Sequence, residues 1–179
     1  MKNVLYKGRP SDLTGRLEKE IAVYDALDKL GIEYARVDHD HADTIADCDN
    51  IAQILGAKIC KNLFLCNAQK TDFYLLLMAG EKPFKTKFLS PQLGCSRLSF
   101  APPEYMEKYL NCTPGSASLL GLLFDSECAV RLIIDRELIG EVLIGCHPCI
   151  NTSSLAISTK DILEIIIPYT KHEPTFVEL

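Results

Sequence analysis

Three short segments of this 179-residue chain carry residue types that can handle an anion or a polarised carbonyl. Lys61 opens the apolar run Asn62-Leu63-Phe64-Leu65, which reads as a strand. A lysine there puts a cation at the rim of a sheet, within reach of a phosphate or a carbonyl oxygen. Taken alone, it reads more simply as a snorkelling surface side chain. The second segment is Thr113-Pro114-Gly115-Ser116-Ala117-Ser118, ahead of Leu119-Leu120-Gly121-Leu122. Small residues let the backbone approach a ligand and aim N–H groups at an oxyanion or phosphate. The spacing matches no phosphate-loop signature, and an ordinary connecting loop is the plainer alternative.

The third segment is Cys146-His147-Pro148-Cys149. A thioredoxin-type C-x-x-C opens a helix, whereas strand-like sequence follows here. Zinc would need two further ligands, and the chain has no second C-x-x-C or H-x₃-H pair. Coincidental cysteines around a His-Pro turn are the simpler reading. His147 is then a general base, a hydrogen-bonding pocket wall or a satisfied core imidazole. His39 and His41 flank Asp40 in a pattern too loose for a metal site. There is no G-x-S-x-G, no H-E-x-x-H and no telling carboxylate pair.

The elements that must position these residues follow from periodicity. Leu13, Leu17, Ile21, Tyr24, Leu27 and Leu30 form the stripe of an amphipathic helix, with Gly31 as its left-handed cap. A strand is expected over 32–37, an acidic His-containing loop after it, and a short helix over 47–55 closed by Gly56. Residues 63–66 and 73–78 form the clearest hairpin, around the polar turn 67–72. A short helix over 85–93 is expected, then a strand at 98–100 and a helix that Pro102-Pro103 opens and that runs to Leu110. Residues 111–122 read as a loop. Strands follow at 129–134, 141–146 and 155–158. Ser158 and Asp161 resemble a capping box for a helix over 159–167, ended by Pro168. Strands outnumber helices and most connections are too short for parallel crossovers. The expected class is α+β, a curved mixed, largely antiparallel sheet with flanking helices.

With 47% hydrophobic and 24% charged residues the chain can bury a core without disulfides or metals. Its length and the absence of repeats or linkers suit a single domain over 1–179. No membrane span or secretory signal is apparent, so a cytoplasmic location is expected. The eight cysteines are spread thinly, several inside apolar runs, as free thiols in a reducing compartment would be. The net charge of −5 argues against a general nucleic-acid binder and against DNA. Yet residues 58–97 hold seven bases against two acids, a local +5 that leaves −10 elsewhere. A polyanion could dock on that stretch alone; a solvated face is the simpler alternative.

Taken together, the segments resemble the trans-acting aminoacyl-tRNA deacylases of the YbaK/ProX type, which are related to the editing domain of bacterial prolyl-tRNA synthetase. The likeness spans residues 17–167. It is carried by Lys61-Asn62-Leu63-Phe64-Leu65, Gln69-Lys70-Thr71 and Lys82-Pro83-Phe84-Lys85-Thr86-Lys87. It continues through Leu98-Ser99-Phe100-Ala101, Thr113-Pro114-Gly115-Ser116 and His147-Pro148-Cys149-Ile150-Asn151-Thr152. The helix followed by Gly31-Ile32-Glu33-Tyr34 is similar to the ProX-like branch.

The resemblance implies a trans-editing hydrolase that cleaves the ester joining a wrong amino acid to tRNA-Pro. Alanine is the expected target of the ProX-like branch and cysteine of the YbaK-like one. Lys61 would grip the phosphate of the terminal adenosine, and backbone N–H groups of Gly115 and Ser116 would hold the ester carbonyl. His147 and Asn151 would line the pocket, and Thr44 is counted with Ser116 among the substrate contacts. No metal or other cofactor is implied, since the free ribose hydroxyl beside the ester helps to activate the attacking water. The implied partner is the acceptor end of misacylated tRNA-Pro, with prolyl-tRNA synthetase as a candidate second partner. One position departs from the family's Gly-x-x-x-Pro loop: Leu119 stands at the proline position, which frees a backbone N–H and loosens the turn. That departure motivates the alternative of a non-catalytic tRNA-binding or regulatory homologue.

Overall fold

The computed structural model describes residues 4–41 and 45–179, with only the backbone described for 45–48. The expected hairpin is the centre of the sheet. β3 (Lys58–Cys66) and β4 (Phe73–Ala79) run antiparallel, with Leu63 opposite Leu76 and Cys66 opposite Phe73. The turn between them is held by Asn67, whose Oδ1 accepts from the Thr71 N–H at 2.9 Å. Phe73, Leu75 and Leu77 face the main core, while Tyr74, Leu76 and Met78 face a second cluster with Leu89, Leu98 and Ile133. A strand covered on both sides has no polar face to show, which is why β4 is continuously apolar.

Around this pair the chain adds β1 (Leu5–Lys7), β2 (Tyr34–Asp38), β5 (Ser99–Phe100), β6 (Val130–Asp135), β7 (Leu143–Cys146), β8 (Ser153–Ser158) and β9 (Thr175–Val177). The nine-stranded sheet has the order β1-β2-β8-β7-β3-β4-β6-β9, with β5 paired to β3 off that path. Three pairings are parallel, β3 with β7, β4 with β6 and β6 with β9, and the remainder are antiparallel. The architecture is the expected α+β one.

Helices cover the sheet. α1 (Glu18–Lys29) buries Val23, Tyr24 and Leu27 in the main core. It starts later than the apolar stripe implies, because Leu17 takes an extended conformation at the cap and stays exposed. Gly31, at φ 67°, follows its end as expected. α2 (Ile45–Leu55) packs Ile51 and Leu55 against Val37 and Ala156. α3 (Thr86–Leu89) is shorter than expected, and α4 (Pro103–Leu110) begins at its proline as predicted.

Two readings are corrected. The run Leu119–Phe124 is a 3₁₀-helix rather than loop, with Ser118 Oγ accepting from the Leu120 N–H at 3.1 Å. The last helix does not stop at Pro168. It passes from α5 (Thr159–Asp161) through a π-helical turn (Ile162–Ile166) into α6 (Ile167–Thr170). Pro168 falls in the first turn of α6, directly after the π-helical turn, where the wider turn lets the chain carry a proline without ending the helix. Among the described residues no helix is long and apolar enough to cross a membrane.

Candidate functional site

β3 changes neighbours along its length. One edge holds β4 from Cys60 to Cys66. On the other, β7 pairs only with Lys58 and Ile59, and β5 only with Leu65 and Cys66. Between these two short pairings the edge of β3 is uncovered, and a cleft of about 1060 Å³ opens along it. Lys61, Asn62, Gly115, Ala117 and His147 line it, as do Phe100 and Met106. Three sequence-predicted site residues, Lys61, Gly115 and His147, therefore share one cavity.

Lys61 is half-buried on β3, and its Nζ donates to the Lys82 carbonyl at 2.8 Å. Its neighbours are neutralised: Lys58 pairs with Glu81, and Lys82 reaches Asp135 Oδ2 at 2.7 Å and Glu137 Oε2 at 3.0 Å. Lys61 makes no ion pair of its own among the described residues, and Glu81, which pairs with Lys58, feels its charge only at longer range, so the ammonium can meet an anion.

The glycine loop is tied down from within. Ser116 is buried; its hydroxyl donates to the Thr113 carbonyl at 2.9 Å and accepts from the Thr113 N–H at 3.0 Å. Its own N–H donates to the same Thr113 carbonyl at 2.9 Å. Ser116, expected among the substrate contacts, spends these donors on closing the turn and is not among the residues that line the cleft. Gly115 and Ala117, on either side, do line it, and their N–H groups have no hydrogen-bond partner among the described residues. Gly115 sits at φ 85°, a conformation that side chains disfavour, which explains glycine there. A Cβ on Gly115 would lie 3.6 Å from Asn151 Nδ2, so Asn151 borders the loop. Asn151 itself lines a neighbouring cavity of about 660 Å³ with Arg16, Asp38 and His41.

The loop's exit is clamped twice. Ser118 Oγ donates to the His147 carbonyl at 2.5 Å, and the Leu119 N–H donates to Asn62 Oδ1 at 2.9 Å. The N–H that a proline would lack is thus used to fasten the loop to β3. Leu119 is buried and packs in the main core. The turn is fastened rather than loosened at this position.

His147 follows β7. Its Nδ1 lies 2.9 Å from the Ser153 carbonyl, which makes Nδ1 the protonated nitrogen. His39 is fixed the same way, Nδ1–H to the Asp40 carbonyl at 2.7 Å, so its Nε2 accepts from the Ser154 hydroxyl at 2.9 Å. The two imidazoles lie 6.3 Å apart. Burial pushes the His147 proton affinity below the ordinary histidine range; the Ser153 carbonyl opposes this and His39 reinforces it. The ring is neutral at neutral pH, and its Nε2, an acceptor, has no partner among the described residues.

Cys146 and Cys149 are both buried free thiols, and burial holds the Cys146 thiol well above the ordinary range. Among the described residues no three His, Cys, Asp or Glu side chains converge to hold a metal ion. Thr44, expected among the substrate contacts, lies outside the described residues. Sequence reasoning missed Asn62, Ala117 and Phe100 as cleft residues. Only the alternation along β3 and the proximity of Ala117 to Gly115 hinted at the first two.

The sequence matches the family of the aminoacyl-tRNA editing domain over residues 39–165. The prolyl-tRNA editing protein ProX of Acetoanaerobium sticklandii is 31% identical over 150 residues, covering 84% of this chain and 92% of that protein. The prolyl-tRNA synthetase associated domain-containing protein 1 of Danio rerio is 29% identical over 170 residues, covering 94% and 88%. Among solved structures, a protein proposed to be a trans-editing enzyme for prolyl tRNA synthetase superposes with a TM-score of 0.67. That match covers 91% of this chain and 98% of the other at 16% identity, a likeness of fold.

Proposed function

Because the chain belongs to the aminoacyl-tRNA editing domain family, we propose that it is a trans-editing deacylase for misacylated tRNA-Pro, with alanyl-tRNA-Pro as its preferred substrate. The observation that carries this reading is the shared cleft. An unneutralised lysine, two unpartnered loop N–H groups and a neutral histidine line one wall-to-wall cavity along β3.

In this mechanism Lys61 holds a phosphate of the acceptor end. The Gly115 and Ala117 N–H groups polarise the ester carbonyl and stabilise the oxyanion as water adds. The carbon–oxygen bond to the ribose then breaks, the ribose oxygen takes a proton, and the amino acid leaves as its acid. Water is activated by the neighbouring ribose hydroxyl, so no protein nucleophile is required. His147 contributes an acceptor at the cavity wall, where it can orient the water or the substrate amino group. Discrimination against proline would rest on collision of its ring with the cavity wall, whereas alanine needs only free space.

The regulatory alternative drew its motive from Leu119. The Asn62 bond to the Leu119 N–H weakens that motive, because the loop remains anchored without proline. The test is single-turnover deacylation of alanyl-, cysteinyl- and prolyl-tRNA-Pro. The expected order places alanyl ahead of cysteinyl, with prolyl-tRNA-Pro slower than alanyl by at least about 100-fold. Equal rates for alanine and proline would refute an editing role.

Binding should also be salt-sensitive to a limited degree. Of the seven bases between Lys58 and Arg97, Lys58 and Lys82 are committed to carboxylates. The remaining five predict a slope of log affinity against log salt of about −3 to −4. A slope near zero would show that this face turns away from the RNA.

A further inference from the structure

We infer that Phe100 is a stacking platform for a nucleobase of the single-stranded acceptor end; this rests on the reading that such an end enters the cleft. Phe100 is the most exposed phenylalanine or tyrosine of the described residues, at 66%, and it lines the cleft. An aromatic ring left in water forgoes the stabilisation that burial would give, and one that lines a cleft can recover it by stacking on a ligand.

The backbone beneath the ring is fixed. Phe100 pairs with Leu65 across β5 and β3, the next residue's N–H (Ala101) donates to the Phe64 carbonyl at 2.9 Å, and Leu98 just before the strand is buried. Phe84 packs beside the ring, 6.2 Å between centroids and 67° between planes, and Phe100 stays 66% exposed all the same. Phe84 is in turn packed on the second core cluster with Leu98. The other strongly exposed phenylalanine, Phe88, differs: the Lys87 ammonium already sits 4.9 Å from its ring.

The spacing suits a nucleic-acid strand. Lys61 and Leu65 are four residues apart on β3, about 13 Å, and Phe100 stands beside Leu65. A phosphate at Lys61 and a base at Phe100 can therefore belong to one extended acceptor end. Ala101, Pro103 and Met106, which also line the cleft and follow Phe100 closely in sequence, offer apolar contact and no side-chain hydrogen bonds. Stacking without base-edge donors tolerates any base, and an enzyme acting on a constant 3′ end has no need to read one.

The chain contains no tryptophan, so Phe100→Trp introduces a single indole at the platform. Its emission is titrated with deacylated tRNA-Pro carrying an intact CCA end, an end lacking the terminal adenosine, and an end lacking the last two nucleotides. Binding is followed independently by filter retention. Quenching is expected with the intact end; the truncation that abolishes it identifies the stacked base. In parallel, Phe100→Ala should raise the half-saturating concentration in single-turnover deacylation by roughly 5- to 150-fold, and Phe100→Tyr should restore it. Retained tRNA with unchanged emission, together with a wild-type half-saturating concentration for Phe100→Ala, would overturn the platform alone. Failure of the wild-type protein to retain any tRNA would overturn the functional reading and the platform with it.

Discussion

Replacing Lys61 by alanine is expected to slow deacylation by roughly 30- to 1,000-fold while leaving the fold intact. Two lysines line the cleft, and of these Lys58 is ion-paired to Glu81 while Lys61 makes no ion pair among the described residues. A charge-assisted contact to a phosphate or developing oxyanion, lost in the transition state, costs on the order of 2–4 kcal/mol. The structural cost is small by comparison. Lys61 is half-buried, and the Nζ bond to the Lys82 carbonyl is the protein contact that alanine removes. Lys82 keeps its own ion pairs to Asp135 and Glu137, so the rim of the cleft should not rearrange. Lys61→Arg should recover part of the loss, since it restores charge with a different reach and a planar head. The measurements are single-turnover rate and thermal midpoint for each variant. Activity of Lys61→Ala within a few-fold of wild type, in a folded protein, would remove this residue from the mechanism.

Leu119→Pro should lower the rate, by about tenfold, although proline is what the family loop carries at this position. From sequence alone the substitution looks restorative: it rigidifies the turn and removes a free N–H. In the fold that N–H is already in use, donating to Asn62 Oδ1 at 2.9 Å and joining the loop to β3 one residue from Lys61. Proline cannot donate, so Asn62 would be left with an unsatisfied acceptor in a half-buried setting, at a cost of about 1–3 kcal/mol. Because the loop also positions Gly115 and Ala117, the loss should reach the oxyanion contacts as well as stability. Asn62→Ala should reproduce much of the defect, and the two changes combined should be less than additive, because both break the same bond. A rate for Leu119→Pro at or above wild type would show that the Asn62 bond does not set the loop geometry.

Much of the scaffold was legible from local pattern. The apolar runs of β3 and β4 around a polar turn, Gly31 behind α1, and the proline at the start of α4 each express a local constraint that neighbours in sequence decide. β1 and β9 are three residues long, too short for alternation to register, and they exist because a sheet edge is there to receive them. The π turn before Pro168 has no sequence signature of its own. The site divides in the same way. Lys61, Gly115 and His147 could be singled out because their residue types are unusual in their settings. Asn62 could not, since its bond spans 57 positions and its partner is a backbone N–H. Ser116 misled for the opposite reason. A small polar residue after glycine suggests a ligand contact, yet here it satisfies Thr113 and turns inward. Its neighbour Ala117, chemically silent in sequence, holds the cleft position instead.

The central claim is that the cleft along β3 hydrolyses an aminoacyl ester, and release of alanine from alanyl-tRNA-Pro under excess enzyme tests it most directly. The wild-type protein is predicted to release alanine well above the spontaneous rate, with Lys61→Ala close to that background. Release at the spontaneous rate by a wild-type protein that still binds the tRNA would contradict the claim.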